Sequence, residues 1–587
     1  MNNNNTRQNR KPTFIKYMMP YRHKLMVGMV CLIIAQGLGL VAPWLLKICI
    51  DSIGQGTASS LYLARFAGLL VGVALVALVF GYAMRMNLIT ASRDMEYDLR
   101  NDLFRHLQTL SASFFHTMKT GDIMARATND VNYVRNFWGP GVMNIAGAIM
   151  IPFAVVLMFA INAQLALLAF IPLPIVTTLV YLLRTSVHAR AERCQEQYST
   201  MSALAQENFT GIRVVKSYAI EDREIAAFDA ACMKYLNRNM SLARLDGLFH
   251  PLFGMVIGMV MTIIVTVGGR DVINGTMTLG DLTAFLSYSM MMMWPTAAIG
   301  WSVSLYQSGG AALARINQIL TTEPEIADAP DALPGAKIAG EIEFRNVWFQ
   351  YDGQNEPVLR DISLKIPKGA TVAVVGRTGS GKSTLVNLVP RLLDPAKGAV
   401  LIDGQDVRNI PLQTLRHHVG FVPQETFLFS DTVRSNISYG VDGVPESEIL
   451  NAGRLSHILE ELKEFPHGLD TMLGERGVNI SGGQKQRVTI GRALIKKPKI
   501  LVLDDALSSV DTETEEKILH DLVHAVTDTT KIIISHRIST VKEADTIVVI
   551  DNGTIVASGT HDELLTQGGI YAGMYQKQLL EGEIEKE

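Results

Sequence analysis

Cysteine is nearly absent: Cys31, Cys49, Cys194 and Cys232 are the only four in 587 residues, and no pair has C-x-x-C spacing. That scarcity excludes a disulfide framework and a cysteine-built metal site, and leaves these residues as small buried hydrophobes. A charge excess is missing as well. Lys and Arg total 53 against 56 Asp and Glu, a net charge of −3, so the chain has no electrostatic footprint for nucleic acid. A cleavable signal peptide is not expected either. The N-terminus is polar through Pro12, and the first apolar stretch is too long for a signal core and is followed by others.

Apolar residues are abundant. Hydrophobic residues make up 48% of the chain and mean hydropathy is +0.20. The length suggests three or four domains. Six stretches are long enough for a helix to cross a bilayer, which takes about 20 apolar residues: 25–46, 66–84, 142–161, 165–183, 248–267 and 282–303. Nothing comparable follows. Arg7, Arg10, Lys11, Lys16, Arg22 and Lys24 precede the first stretch, which places the N-terminus in the cytoplasm. An even number of spans returns the chain there.

The connectors alternate in length. Those at 87–140 and 184–247 are long, charged and rich in helix formers, so they read as helices that leave the membrane, turn and come back. Their turning points are expected near 120–126 and 208–213. Lys47, Asp51, Arg65 and Arg85 fall at span ends, where snorkelling to the interface is the default reading. A segment rich in Pro, Ala and Asp, 321–340, reads as a linker. Beyond it, short β-type runs (342–344, 372–375, 400–402, 500–503, 532–535 and 546–550) alternate with helical segments, an α/β nucleotide-binding pattern. The expected domains are a cytoplasmic N-terminal segment (1–24), a six-helix transmembrane domain (25–320), the linker, an α/β ATPase domain (341–578) and a charged tail (579–587).

Gly376-Arg377-Thr378-Gly379-Ser380-Gly381-Lys382-Ser383 meets G-x-x-x-x-G-K-[ST] at every fixed position. An apolar run, 371–375, precedes it, and a helical run opens at Thr384. In that context the backbone N–H groups cradle phosphates, Lys382 reaches the β- and γ-phosphates, and the Ser383 hydroxyl holds Mg²⁺. ATP with Mg²⁺ is therefore the expected ligand. Downstream, Ile500-Leu501-Val502-Leu503-Asp504 is an apolar strand ending in a carboxylate, placed to coordinate Mg²⁺ as a Walker B aspartate. Between them lies Ser481-Gly482-Gly483-Gln484, which opens a helix and offers a hydroxyl, N–H groups and a helix dipole to a phosphate.

That segment resembles the signature motif of ATP-binding cassette (ABC) proteins, and the whole chain resembles one half of a type IV ABC exporter. The resemblance implies further roles. Tyr351 matches the aromatic residue that stacks on adenine, and Gln424 the Q-loop glutamine near Mg²⁺. Residues 474–477 resemble an exporter-specific segment that senses the coupling helices, which would be the two turning points above. Asp511, in 508–511, matches the D-loop, and His536 the switch histidine at the γ-phosphate. Two sites are implied between two ATPase domains, each using one chain's phosphate loop and the other chain's signature.

One residue departs from the pattern: Asp505 stands where the family has a glutamate that polarises the attacking water. Its carboxylate is retracted by roughly 1 Å, a displacement that can cost on the order of 10²-fold in rate. With the signature nearly intact, the chain resembles the degenerate-site subunit of a heterodimeric multidrug exporter. The partner would be a second half-transporter, with a homodimer hydrolysing through Asp505 as the alternative. The implied activity is ATP-driven export of an amphipathic or hydrophobic drug, lipid or peptide across the plasma (inner) membrane. An ATP-gated regulatory module that does not itself transport is the competing class. The run Tyr288-Ser289-Met290-Met291-Met292-Met293-Trp294 serves either as an adaptable cargo surface or as ordinary helix packing. Few charges lie deep in the spans, which disfavours small, highly charged cargo.

Overall fold

A computed structural model describes residues 14–330, 332 and 337–584. Arg7, Arg10 and Lys11, linker residues 331 and 333–336, and the tail residues 585–587 lie outside the described residues. The chain divides into two compact units, Met1–Leu107 with Gly121–Thr321, and Gln108–Thr120 with Thr322–Glu587.

The first unit is helical. It contains α1 (Phe14–Met18), α2 (Arg22–Gly54) and α3 (Ser60–Thr109). Among the described residues, four helical runs are long and apolar enough to cross a membrane: Phe14–Gly54, Ser60–Thr109, Thr120–Ile161 and Gly254–Ile273. Of the other two expected spans, 282–303 lies within the 42-residue helix Leu279–Leu320, whereas 165–183 is divided between Ala163–Phe170 and the start of the 39-residue helix Pro172–Thr210. Along α3 the burial pattern inverts. Its apolar half exposes Leu69, Val71, Leu75, Leu78 and Val79, whereas its polar half buries Leu88, Met95, Leu99 and Leu103. Apolar side chains facing outward are what lipid requires, and a buried apolar seam under a charged face is what water requires.

An acidic stripe on α3, with residues four apart on one face, fastens the N-terminal segment. Tyr17 donates to Asp102 at 3.1 Å, Tyr21 donates to Asp98 at 2.8 Å, and Lys24 pairs with Asp94 at 2.5 Å. The first turning point is not at 120–126. Helix α3 ends at Thr109, Ser111 is extended (φ −69°, ψ 159°), and the short helix α4 (Ala112–Thr117) fills the turn. Gly121 sits in the first turn of the next helix, α5 (Thr120–Ile161), with Asp122 beside it favouring the helix dipole. The second turn begins where expected but continues through a short helix, Ile212–Ser217, to Ile220.

Lys47 has a charged partner. Its ammonium pairs with Asp281 at 2.5 Å and lies 4.8 Å from the Trp44 ring centroid, while Asp51 accepts the Gly280 N–H at 2.9 Å. Near the other end of Leu279–Leu320, Arg315 grips the buried Asp130 through two hydrogen bonds, 2.9 and 2.5 Å. Replacing Arg315 by Ala leaves that carboxylate unpaired. The cost is about 2 kcal/mol, discounted because the guanidinium is half exposed, and it is read as a lowered thermal midpoint that Asp130→Asn partly offsets.

In the second unit, a four-stranded antiparallel sheet has the order β2-β1-β4-β5 and a six-stranded, mostly parallel sheet the order β10-β9-β3-β8-β7-β6. The strands are β1 (Ile342–Phe349), β2 (Leu359–Ile366), β3 (Thr371–Gly376), β4 (Lys397–Ile402), β5 (Gln405–Asp406), β6 (Val419–Val422), β7 (Ile500–Asp504), β8 (Thr530–Ile534), β9 (Thr546–Asp551) and β10 (Thr554–Gly559). Strands β3, β7 and β8 are buried at every residue, which is why they read as continuous apolar runs. Their register aligns Asp504 with Ile534 and Val374 with Ile534, so the loops at their carboxyl ends meet at one edge.

Candidate functional site

The loop after β3 leads into a short helix, Lys382–Asn387. Gly376 has φ +155°, and a Cβ there would lie 2.1 Å from the Ile550 carbonyl oxygen, so no side chain fits against β9. The Lys382 ammonium is buried and donates to the carbonyls of Gly376 and Arg377 at 2.9 and 2.8 Å. Burial pulls its pKa down, against the opposing charges of Asp504 and Asp505. The Ser383 hydroxyl donates to Asp504 at 3.0 Å. Burial pushes the Asp504 carboxyl above its ordinary range despite that hydrogen bond.

Lys382, Ser383 and Asp504 line a cleft of about 290 Å³ together with Tyr351, Thr378, Gly379, Gly381, Thr384, Gln424, Asp505 and His536, whereas Gly376, Arg377 and Ser380 of the loop do not line it. The Tyr351 hydroxyl lies 3.1 Å from the Thr384 hydroxyl, and its ring meets Phe349 edge-on at 4.8 Å. Ser380 Oγ is buried without a hydrogen-bond partner. An orphaned hydroxyl beside a buried ammonium and a loop of backbone donors suits an anionic phosphate chain, and a serine hydroxyl against a buried carboxylate suits a hard divalent cation. The donor set therefore fits a Mg²⁺–nucleotide.

Asp505 carries a conformation that sequence does not show. Its φ is +48°, and its N–H donates to the Ile534 carbonyl at 3.0 Å. The cleft also takes in Val358 and Ile534, which no motif marks.

The signature residues are elsewhere. Ser481 caps the helix Gly482–Leu494 through a reciprocal box: its hydroxyl accepts the Gln484 N–H at 3.2 Å, and Gln484 Oε1 accepts the Ser481 N–H at 2.8 Å. A Cβ on Gly483 would come within 2.9 Å of the Ser509 carbonyl oxygen, so a glycine lets the 508–511 loop pack directly on the helix. Gln486 bonds both Ser508 and the Ser509 N–H. Asp511 caps the helix Thr512–Ala525, accepting the Thr514 N–H at 2.9 Å, and that bond holds its carboxyl below the usual range. The segments 481–486 and 508–511 thus form one hydrogen-bonded surface, and none of 481–484 lines the phosphate-loop cleft.

A phosphate loop with a Walker B carboxylate on a parallel sheet defines a P-loop ATPase, here continuous with a helical membrane domain. Residues 25–296 match the ABC transporter transmembrane region and 359–508 the ABC transporter family. The chain is 35% identical over 556 residues to the multidrug resistance-like ATP-binding protein MdlA of Escherichia coli, covering 94% of each. It is also 35% identical over 581 residues to the ATP-dependent lipid A-core flippase of Syntrophus aciditrophicus, covering 98% of this chain and 95% of that one. A bacterial Atm1-family ABC exporter solved with ATP bound superposes with a TM-score of 0.78 at 29% identity, over 95% of this chain and 98% of that chain. The chain belongs to the ABC transporter family, as an exporter-type half-transporter. It is a multi-pass membrane protein with an ABC-type ATPase domain.

Proposed function

We propose that the chain exports an amphipathic or hydrophobic substrate across the plasma membrane as one half of a dimer, with its N-terminus and ATPase domain in the cytoplasm. ATP would lie in the cleft, its adenine on Tyr351 and its phosphates along 376–384. Ser383 and Asp504, with Gln424 near them, would hold Mg²⁺, which neutralises phosphate charge when bound. Lys382 would exchange its two loop carbonyls for phosphate oxygens, and His536 would face the γ-phosphate. Asp505 would orient the attacking water. The observation that carries this reading is the separation of the two halves of the machinery. Tyr351, Thr378, Gly379 and Gly381–Thr384 of the phosphate loop, Gln424, Asp504, Asp505 and His536 share one cleft, whereas Ser481–Gln484 present their helix end elsewhere, available to a second chain. The proposed domains are those expected above, 1–24, 25–320, 321–340, 341–578 and 579–587, except that 108–120 form part of the second compact unit.

Asp505 favours a heterodimer in which the partner carries the competent carboxylate and uses this chain's signature. The retention of His536 in the cleft supports the alternative, a homodimer hydrolysing through Asp505. Phosphate release from the purified chain, alone and with a candidate partner half-transporter, separates them. In the heterodimer, Asp505→Ala leaves most of the activity. If the chain alone is a vigorous ATPase that Asp505→Ala silences, the degenerate-site reading fails.

A further inference from the structure

The helical unit contains a second cavity, of about 470 Å³, between α5, the 163–170 helix, the 249–263 helix and Leu279–Leu320. Pockets of roughly 300–1,000 Å³ accommodate drug-sized molecules. Its walls include Met158, Val256, Met261, Met290, Met293 and Trp294. Among the described residues, no charged side chain lines it. Its two hydroxyl groups are already used: Ser289 donates to the Phe285 carbonyl at 2.9 Å and Thr296 to the Met292 carbonyl at 2.7 Å. Met158 is 2% exposed, whereas Met290 and Trp294 are 60% and 72% exposed, so a packed floor faces an adaptable rim.

We propose that this cavity binds cargo, and that the cargo it selects is an uncharged aromatic molecule. The inference rests on the exporter reading and narrows it. Lipid tails are as apolar as leucine, so an acyl chain gains little by leaving the bilayer for an apolar pocket. Thioethers and an indole add what a bilayer lacks, namely sulfur–aromatic and ring–ring contacts. A phosphorylated or carboxylated amphiphile would have to bring its charge to a wall that offers no cation and no free donor. From the 288–294 run, Ser289, Met290, Met292, Met293 and Trp294 thus belong to the cargo surface. Tyr288 is fully buried and donates to the Leu40 carbonyl at 2.9 Å, and Met291 turns toward Gly39 instead.

Benzophenone, uncharged and photoreactive toward methionine, is the probe, and 4-benzoylbenzoate its anionic counterpart. The full-length protein in lipid nanodiscs is irradiated with increasing benzophenone, and labelling of Met290 and Met293 is read by mass spectrometry. Labelling is expected to saturate, with the anion competing at least about tenfold more weakly. Val260→Phe, which fills the cavity, and Trp294→Leu, which removes the ring, both keep the labelled methionines and should each weaken labelling about fivefold. Labelling of the distant, exposed Met26 and the thermal midpoint report that each variant is folded. Equal competition by the anion overturns the uncharged class. Unsaturable labelling, or labelling indifferent to both variants, overturns the site. If wild-type protein hydrolyses ATP yet shows no saturable labelling, the cavity inference falls and the exporter reading stands. Saturable labelling without hydrolysis, alone or with a partner, overturns the exporter reading instead.

Discussion

Replacing Lys382 by Ala lowers ATP hydrolysis at this chain's phosphate loop by at least about 10²-fold, the scale on which loss of one preorganised donor to developing charge is felt. Lys382 is 6% exposed, and its ammonium sits between two loop carbonyls with Asp504 and Asp505 as opposing charges. Without it, the two carboxylates face an incoming triphosphate with no cation from the protein between them. Lys382→Arg does not rescue activity, because a planar fork cannot occupy the same enclosed position as a compact ammonium. Phosphate release measures the rate, and the thermal midpoint distinguishes a catalytic loss from unfolding. In a heterodimer with a competent partner site the loss is partial, because the second site uses the partner's phosphate loop. A Lys382→Ala chain that retains its own hydrolysis would remove the phosphate loop from the proposed mechanism.

How much of this was legible depended on whether the physics was local. The phosphate loop and Asp504 were readable because glycines, a lysine and an apolar strand lie contiguously, and β3, β7, β8 and β9 announced themselves as unbroken apolar runs. Strand β6 is only four residues long, and β2 and β10 alternate weakly, so none stood out. The first turn was missed because Leu110-Ser111 contains neither glycine nor proline, while Gly121 looked like a breaker and is instead a tolerated first-turn residue. The ion pair of Lys47 is illegible in the sequence because its partner, Asp281, lies 234 positions away. The capping roles of Ser481 and Asp511 follow from helix-start signals. Their joint surface, however, depends on Gln486 reaching across to Ser508 and Ser509, which no spacing rule predicts.

Asp505→Glu is expected to change rate and stability in opposite directions. Adding one methylene advances the carboxylate by roughly 1 Å toward the water it would polarise, worth up to about 10²-fold in rate. The backbone at this position resists the change. At φ +48° the residue occupies the left-handed region, which asparagine and aspartate tolerate better than longer side chains, where the penalty is about 1–2 kcal/mol. The strand register fixes that conformation, because the Asp505 N–H is tied to Ile534 on β8. Asp505 is therefore well suited to the local backbone, and in the proposed mechanism its carboxylate would be set back from the water, as in a site that holds nucleotide longer than it consumes it. The Glu variant should hydrolyse faster with a slightly lower thermal midpoint. Asp505→Asn should keep the midpoint while removing whatever hydrolysis the carboxylate supports. Phosphate-release rates and melting curves for the three proteins decide the matter. If Glu gives no gain and Asn abolishes activity, the retracted carboxylate is already the productive one, and the homodimer is the working form.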